Sequence, residues 1–306
     1  MSDAARPATG TIHDIGYKRY VGTRRAVSTR WRVIMRHQIR MAWKRWWRYK
    51  MPLFAVVVTT FVAGGFMYVA TSEIIRGASI VMGAQQLPLK MADAVVPMSI
   101  RWYGMAAFIL SLTLGATIVS TDTQSGAFTF YYVRSIRPVD YVLGKLAGYG
   151  TLVATIVFVP PLLLAGLRLG LCDNLDDLVA HLHLLPKTLA VGALATLAYT
   201  AVPLALSSLV ANRRYALALW AAYYLIAGNI AFGLSFVLGR NLAALDIPTA
   251  LQAFTFELFD IRIPGLTANL SLEAALIGLL VQSGAAIAIL WYQVSRDQKT
   301  GVGGAS

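Results

Sequence analysis

The fold is decided by residues 52–71, which read PLFAVVVTTFVAGGFMYVAT and contain no Asp, Glu, Lys, Arg or His. A helix rises about 1.5 Å per residue and the hydrocarbon core of a bilayer is roughly 30 Å thick, so about 20 apolar residues cross it. Five further stretches meet this requirement, and their one charged residue is Glu273. They lie at 102–121, 146–166, 188–210, 215–239 and 272–294. The sequence therefore predicts an all-α polytopic membrane protein with six transmembrane helices.

The composition agrees with this prediction. Hydrophobic residues make up 57% of the 306 residues and charged residues only 13%, which is too apolar for a soluble domain. A single cysteine, Cys172, excludes a disulfide within the chain and a multi-cysteine metal site. The first apolar stretch begins far beyond the position of a cleavable signal peptide, so we expect it to be retained.

The basic residues predict the orientation. An even number of spans puts both termini on one side, and that side has 20 of the 27 Lys and Arg residues but only 5 of the 14 Asp and Glu residues. Cytoplasmic segments of membrane proteins are enriched in Lys and Arg. We therefore expect a multi-pass protein of the cell (plasma or inner) membrane with both termini in the cytoplasm, including flexible tails at 1–27 and 295–306.

Residues 28–50 predict an amphipathic helix before the transmembrane domain at 51–294. Basic residues recur every four positions and form one stripe, while apolar residues and indoles lie beside it. This pattern suits a helix in the cytoplasmic headgroup layer that contacts membrane lipids; the alternative is a charged stop that only orients the first span. Nucleic acid is not expected as a partner beside a membrane span. The residues of this interface are Trp31, Arg32, Arg36, Arg40, Trp43, Lys44, Trp46, Trp47 and Arg48.

The segment between the second and third spans, at about 120–145, is too aromatic for an idle linker. Asp122 or Thr123 can cap a short helix, and Phe128, Tyr131 and Tyr132 offer three rings that suit docking into a partner's groove. Pro138 then ends that helix and Asp140 can cap the next one. The alternative is a loop that only caps two helices.

In this segment the sequence resembles the type-2 family of ATP-binding-cassette (ABC) permeases, the membrane subunits of type V-like exporters. That family has an acidic residue and a glycine here, then Arg-Pro and Tyr-x-Leu-Gly-Lys. The matching residues are Asp122, Gly126, Arg137, Pro138, Tyr141 and Lys145. Ala127-Phe128 departs from the more usual Thr-Leu. The six-span layout and the amphipathic helix extend the resemblance over most of the chain.

The resemblance implies a coupling helix in this loop, on which a separate ATPase subunit docks. It implies two copies of that subunit, with ATP and Mg bound there and no cofactor in this chain, and a second permease protomer, identical or related. It also leaves room for a periplasmic or extracellular accessory protein. Short helices in the external loop, at about 240–271, would form part of an outer gate; an interfacial cover is the alternative.

The chain itself carries no sign of a catalytic site, so we expect no enzymatic activity. It has no G-x-x-x-x-G-K-[ST] phosphate loop, and its four histidines all lie outside the predicted spans. Cys172, the acidic residues after it, His181 and His183 look superficially like metal ligands. We expect no metal there, because adjacent carboxylates are common in loops and the two histidines would diverge on a helix.

Polar residues at membrane depth are candidates for a substrate path, although hydrogen bonding between helices explains them equally well. They are Ser111, Thr113, Asn229, Gln282 and Ser283. Spans with no charged residue other than Glu273, at the edge of the last one, favour an external energy source over ion coupling. We therefore expect the permease subunit of an ABC transporter, an exporter of an amphiphilic or hydrophobic substrate. The alternatives are a membrane scaffold or assembly factor without a substrate, and an ion-coupled carrier.

Overall fold

The structure is a computed structural model that describes residues 27–44, 46–81, 87–128, 131, 136–261 and 270–300. It is 91% helical, and the described residues form no β-strand. Six helices are long and apolar enough to cross a membrane. These spans are Trp47–Thr71, Leu89–Gln124, Pro138–Gly170, Leu175–Leu209, Arg213–Leu238 and Leu272–Gln298. The predicted all-α polytopic fold with six spans is confirmed.

Before the first span, the α-helix Arg30–Lys44 follows a 3₁₀ turn at Val27–Thr29 and leads into a π-type turn at Trp46–Lys50. Its basic stripe is exposed, whereas Ile34 and Ala42 on another face are buried. The buried face packs on the start of the third span. We call this element the amphipathic helix, and the side of the bundle on which it lies the N-terminal face.

Most spans are interrupted. The first is Met51–Thr71, followed by a short helix at Glu73–Val81. The second comprises Leu87–Thr113, a 3₁₀ turn at Gly115–Thr117 and Ile118–Gln124. The third divides into Pro138–Val157 and Val159–Gly170. The break lies at Phe158, just before Pro160 and Pro161. A proline has no backbone N–H and its ring clashes with the preceding helical turn, so a regular helix is interrupted there.

The fourth span comprises Leu175–His181 and Leu184–Leu209, and the fifth comprises Arg213–Ala222, a π-type turn at Tyr223–Ala227 and Gly228–Leu238. A 3₁₀ segment at Arg240–Leu245 and a helix at Ile247–Leu258, here called the outer helix, precede the last helix, Leu272–Thr300. The outer helix buries Ala250, Leu251 and Phe254, as its apolar pattern predicts. It packs on the second, fourth and sixth spans.

The second and fourth spans form the core of the bundle. In the most apolar window of each, 72% and 67% of the residues are buried, against 22%, 17% and 28% in the first, fifth and sixth spans. The outward faces of these three spans carry large apolar side chains such as Phe61 and Val237. An apolar exterior of this kind is what a bilayer requires, because lipid tails replace water around the bundle.

Candidate functional site

The N-terminal face carries the first candidate site, where the amphipathic helix and the 120–145 segment meet the third span. Gly144 and Gly148 let the backbones approach closely. A Cβ atom at Gly144 would lie 2.7 Å from Ile34 Cβ and 2.9 Å from the Trp31 carbonyl oxygen, and one at Gly148 would lie 2.9 Å from Gln38 Cβ. Small residues at such crossings are how membrane helices pack tightly. The amphipathic helix is thus docked on protein along one face.

A buried ion pair joins the second span to the third span beside this contact. Lys145 Nζ lies 2.7 Å from Asp122 Oδ2, and the two side chains are 6% and 17% exposed. The Tyr141 hydroxyl donates to the same oxygen at 2.8 Å, and Lys145 also donates to Gln38 Oε1 at 3.3 Å. Because a buried charge is costly unless it is paired and hydrogen-bonded, this network fixes three elements to one another.

The aromatic residues of the segment fold back onto this network. Phe128 is 1% exposed, with its ring 5.0 Å from that of Tyr141, and the Tyr131 ring lies 5.6 Å from the same ring. Burial, with a smaller contribution from Asp122, raises the pKa of Tyr131 to about 12. The Phe128 side chain therefore anchors the segment to the bundle instead of lying on the surface. Among the predicted docking residues, Arg137 is exposed, and Tyr132 lies outside the described residues.

The ends of this segment differ in part from the prediction. Asp122 and Thr123 do not cap a new helix, because both lie in the last turns of Ile118–Gln124. Gly126 follows with φ +65°, a conformation that glycine adopts at no steric cost. Asp140 does cap its helix: its Oδ2 accepts from the Arg137 backbone N–H at 3.3 Å, and Pro138 is the first residue of that helix.

The predicted membrane-interface residues occupy two environments. The four basic residues of the stripe from Arg32 to Lys44 are exposed, as are Trp43 and Trp47, whereas Trp31 and Arg48 are half-buried. The Trp46 side chain lies outside the described part of the structure. Exposed indoles and cations on one face of a helix that is docked by its other face suit contact with lipid headgroups.

Three of the polar residues proposed for a substrate path hold helices together. The Ser111 hydroxyl is fully buried and joins three spans, since it accepts from Tyr149 at 2.9 Å and lies 3.3 Å from the Tyr199 carbonyl oxygen. Thr113 donates to the Arg48 carbonyl at 3.1 Å. Gln282 accepts from Tyr223 and donates to the Ala244 carbonyl, both at 2.6 Å. Interhelical hydrogen bonding accounts for these three.

The other two residues differ. Ser283 is fully buried, and its hydroxyl has no hydrogen-bond partner among the residues that the structure describes. Asn229 lines a cavity of about 310 Å³ between the second, fourth and fifth spans and the outer helix. We call this space the outer cavity. Its polar residues are Arg101, Tyr199, Tyr224, Asn229, Asp246, Thr249, Gln252 and Thr255.

Asp246 is the ionisable group of the outer cavity that sequence reasoning missed. The residue is 6% exposed, although it belongs to the segment predicted to be an external loop. Burial raises the pKa of its carboxyl group, while hydrogen bonds from Thr249 oppose that shift. The signal for its helix was present, since Asp246 with Pro248 and Thr249 forms a helix start. Nothing local shows that this helix start is buried.

A second buried cation lies on the opposite face of the bundle. Arg168, 2% exposed, bonds to Asp93 Oδ1 at 2.7 Å and to His181 Nε2 at 3.0 Å. Its guanidinium is also 3.7 Å from the Cys172 sulfur and 4.0 Å from Asp177. The structure thus brings Cys172, Asp177 and His181 together, around an arginine whose positive charge disfavours a metal ion. His183 is exposed and bonds to the Ala180 carbonyl.

Comparison with known proteins gives no family assignment: no protein-family model matches the chain, and a search of curated proteins returns no match. Membership of the type-2 ABC permease family therefore stays a prediction, based on the residues of the 120–145 segment.

Proposed function

We propose that this protein is the permease subunit of an ABC transporter, acting as an exporter in the cell membrane with both termini in the cytoplasm. The observation that carries the proposal is the Asp122–Lys145 ion pair, which joins the end of the second span to the start of the third span, where Lys145 also bonds to Gln38 of the amphipathic helix. Because the second span, the third span and the amphipathic helix are joined there, a force on the 120–145 segment would move all three. A coupling helix has to transmit movement in this way.

In this proposal the energy comes from ATP hydrolysed on Mg²⁺ in two partner ATPase subunits. Those subunits dock at the exposed Arg137, while the buried Phe128 ring and the half-buried Tyr131 ring pack on Tyr141 of the third span. A second permease protomer completes the path. The exposed apolar faces of the first and fifth spans leave room for that protomer within the membrane.

A charge reversal tests the docking. Arg137→Glu should abolish the ATPase activity that co-purifies with the protein from native membranes, because it repels an acidic or carbonyl-rich docking groove. Arg214→Glu is the matched control: Arg214 is also exposed and lies on the N-terminal face, in the first turn of the fifth span. Equal ATPase activity in wild type and Arg137→Glu, at equal membrane yield, would contradict the proposal.

One observation favours an ion-coupled carrier as the second candidate. The predicted spans contain no charged residue apart from Glu273 at an edge, but Asp246 brings a buried carboxylate between them from the outer segment. Carriers use such groups to take up protons. Gradient-driven uptake by the purified chain in liposomes without ATP would favour this candidate, and a membrane scaffold would show neither uptake nor substrate-stimulated ATP hydrolysis.

A further inference from the structure

The outer cavity contains a carboxylate that is only half satisfied. Asp246 Oδ2 accepts from the Thr249 backbone N–H at 3.1 Å and from the Thr249 hydroxyl. Oδ1 lies against Gly228, where a Cβ atom would collide with it, and it receives no hydrogen bond from the described parts of the chain. The residue is only 6% exposed and lines the outer cavity, so Oδ1 is an acceptor available there to a cationic N–H group.

The same cavity contains hydrogen-bond donors without acceptors. Gln252 Nε2 is buried and has no partner among the described residues. Arg101 lines the cavity from the second span, and its side chain is exposed. Within the described structure, no ion pair shorter than 4.0 Å joins Arg101 to Asp246. The two opposite charges thus face one space of about 310 Å³ without neutralising each other.

The remaining wall suits an amphiphile. The hydroxyls of Tyr199 and Tyr224 lie 3.1 Å apart in the wall of the cavity, whereas Met105 and Leu225 are 51% and 52% exposed at its edge. Polar groups meet apolar side chains that face outward from the bundle. Small-molecule sites have this combination of a few placed polar groups in an apolar wall, with volumes of about 300–1,000 Å³.

We propose that the outer cavity binds the zwitterionic headgroup of a phosphatidylethanolamine-type lipid, with its ammonium on Asp246 and its phosphate on Arg101 and Gln252. The primary ammonium supplies the N–H donors that Asp246 Oδ1 lacks, and the phosphate supplies the acceptors that the two donors lack. The acyl chains leave past Met105 and Leu225 towards the bilayer. The binding of this lipid is inferred independently of the permease function proposed above. Only its role as the transported substrate rests on that function.

The test measures which lipids stay bound to the isolated chain. The protein is reconstituted in nanodiscs with equal amounts of phosphatidylethanolamine, phosphatidylcholine and phosphatidylglycerol, then extracted, and retained lipids are counted by native mass spectrometry. Phosphatidylcholine has no N–H and phosphatidylglycerol no ammonium. We expect phosphatidylethanolamine to be enriched about tenfold, as a charge-assisted hydrogen bond implies. Equal retention of the three lipids would overturn the proposal.

Asp246→Asn is the decisive variant, because asparagine caps a helix as well as aspartate does and so removes the charge without removing the cap. The enrichment should fall to within about twofold. Asp260→Asn is the matched control: Asp260 is exposed, outside the outer cavity, and has φ +54°, which asparagine accepts readily. Unchanged enrichment in Asp246→Asn would also overturn the proposal.

A glycine pair gives a steric version of the test. Gly228→Ala places a methyl group against Asp246 Oδ1 and should abolish the enrichment, whereas a Cβ atom at Gly233 in the same helix meets nothing within 4 Å. Arg101→Gln should likewise reduce retention. If Gly228→Ala and Gly233→Ala keep the same enrichment, Oδ1 is not the ammonium site.

Free phosphoethanolamine distinguishes the source of the headgroup. Suppose that it raises the midpoint temperature of unfolding of the wild type but not of Asp246→Asn, while no lipid is enriched. That result would show that the cavity binds the zwitterionic group, and would overturn the proposal that the group belongs to a lipid. None of these measurements involves an ATPase. Selective retention without a co-purifying ATPase would therefore refute the permease function alone, and a docked ATPase without lipid selectivity would refute this inference alone.

Discussion

Two buried cations of the third span form ion pairs with the second span. Lys145 pairs with Asp122 near the N-terminal face, and Arg168 pairs with Asp93 near the opposite face, each at 2.7 Å. The two cations are separated by 23 positions, which at about 1.5 Å per residue is about 35 Å. This is close to the bilayer thickness. We therefore expect each charge to lie near the point where the helix leaves the hydrocarbon; each partner is on the second span.

Breaking one of these pairs is expected to destabilise the protein. Lys145→Met removes the cation from Asp122 and should lower the free energy of unfolding by roughly 3 kcal/mol, because a buried carboxylate is left without its counter-charge. The double variant Asp122→Asn/Lys145→Met should recover most of that loss. Chemical unfolding in detergent measures both. Lys90→Met, at an exposed lysine, should change stability by less than about 0.5 kcal/mol; a loss for Lys145→Met no larger than this would contradict the expectation.

At the scale of elements, the amphipathic helix is joined to the third span by close backbone contact. Its buried face meets Gly144 and Gly148, and its cations are directed away from the bundle. The helix is therefore more than a charged signal that orients the first span. Its apolar side packs on protein, and its basic side is available to lipid phosphates.

A matched pair of glycine substitutions tests this contact. Gly144→Ala should displace the amphipathic helix at a cost of about 1–3 kcal/mol, because the added methyl group overlaps Ile34 and the Trp31 carbonyl. Gly150→Ala in the same helix meets Thr200 at an ordinary 3.6 Å, and should be neutral or stabilising because alanine favours a helix. Faster tryptic cleavage at Arg36 in Gly144→Ala reports the displacement. Equal cleavage rates in the two variants would show that the helix is held elsewhere.

At the scale of the whole molecule, the distribution of charge predicts which side faces the cytoplasm. Cys172, the single cysteine of the chain, lies between the third and fourth spans, on the side of the bundle opposite the N-terminal face. Burial is the largest of the effects that raise the pKa of its thiol. The thiolate is the reactive form, so we expect slow modification that accelerates with rising pH.

Labelling of this cysteine tests the orientation. A membrane-impermeant maleimide should modify Cys172 in intact spheroplasts, because the positive-inside rule puts that loop outside. In a Cys172→Ser background, Arg214→Cys on the N-terminal face should react only after permeabilisation. The reverse pattern would mean that both termini lie outside. Cys172→Ser alone is the background control and should give no signal.

The six spans were predictable because each depends on a local property, about 20 consecutive apolar residues. The helix start at Pro138, with Asp140 accepting from the N-cap residue, and the break before Pro160 also depend on local residues and were predictable. The buried charged residues of the candidate sites were less predictable from the sequence. Asp246 becomes buried only when the outer helix inserts among three spans, and Arg168 meets Asp93 across 75 positions of sequence. Contacts between distant residues leave no local pattern, so sequence reasoning placed both groups in loops.

The break at Phe158 gives the third span two parts with different attachments. The part nearer the N-terminal face carries the amphipathic helix and Lys145, and the part beyond it carries Arg168. Both ends are pinned to the second span, so the helix cannot swing as a single rod. We expect it to bend at its central break, where Phe158 packs against Gly192 of the fourth span. Under the proposed ATPase coupling, we expect a force applied at the N-terminal face to reach the fourth span as lateral pressure at this contact.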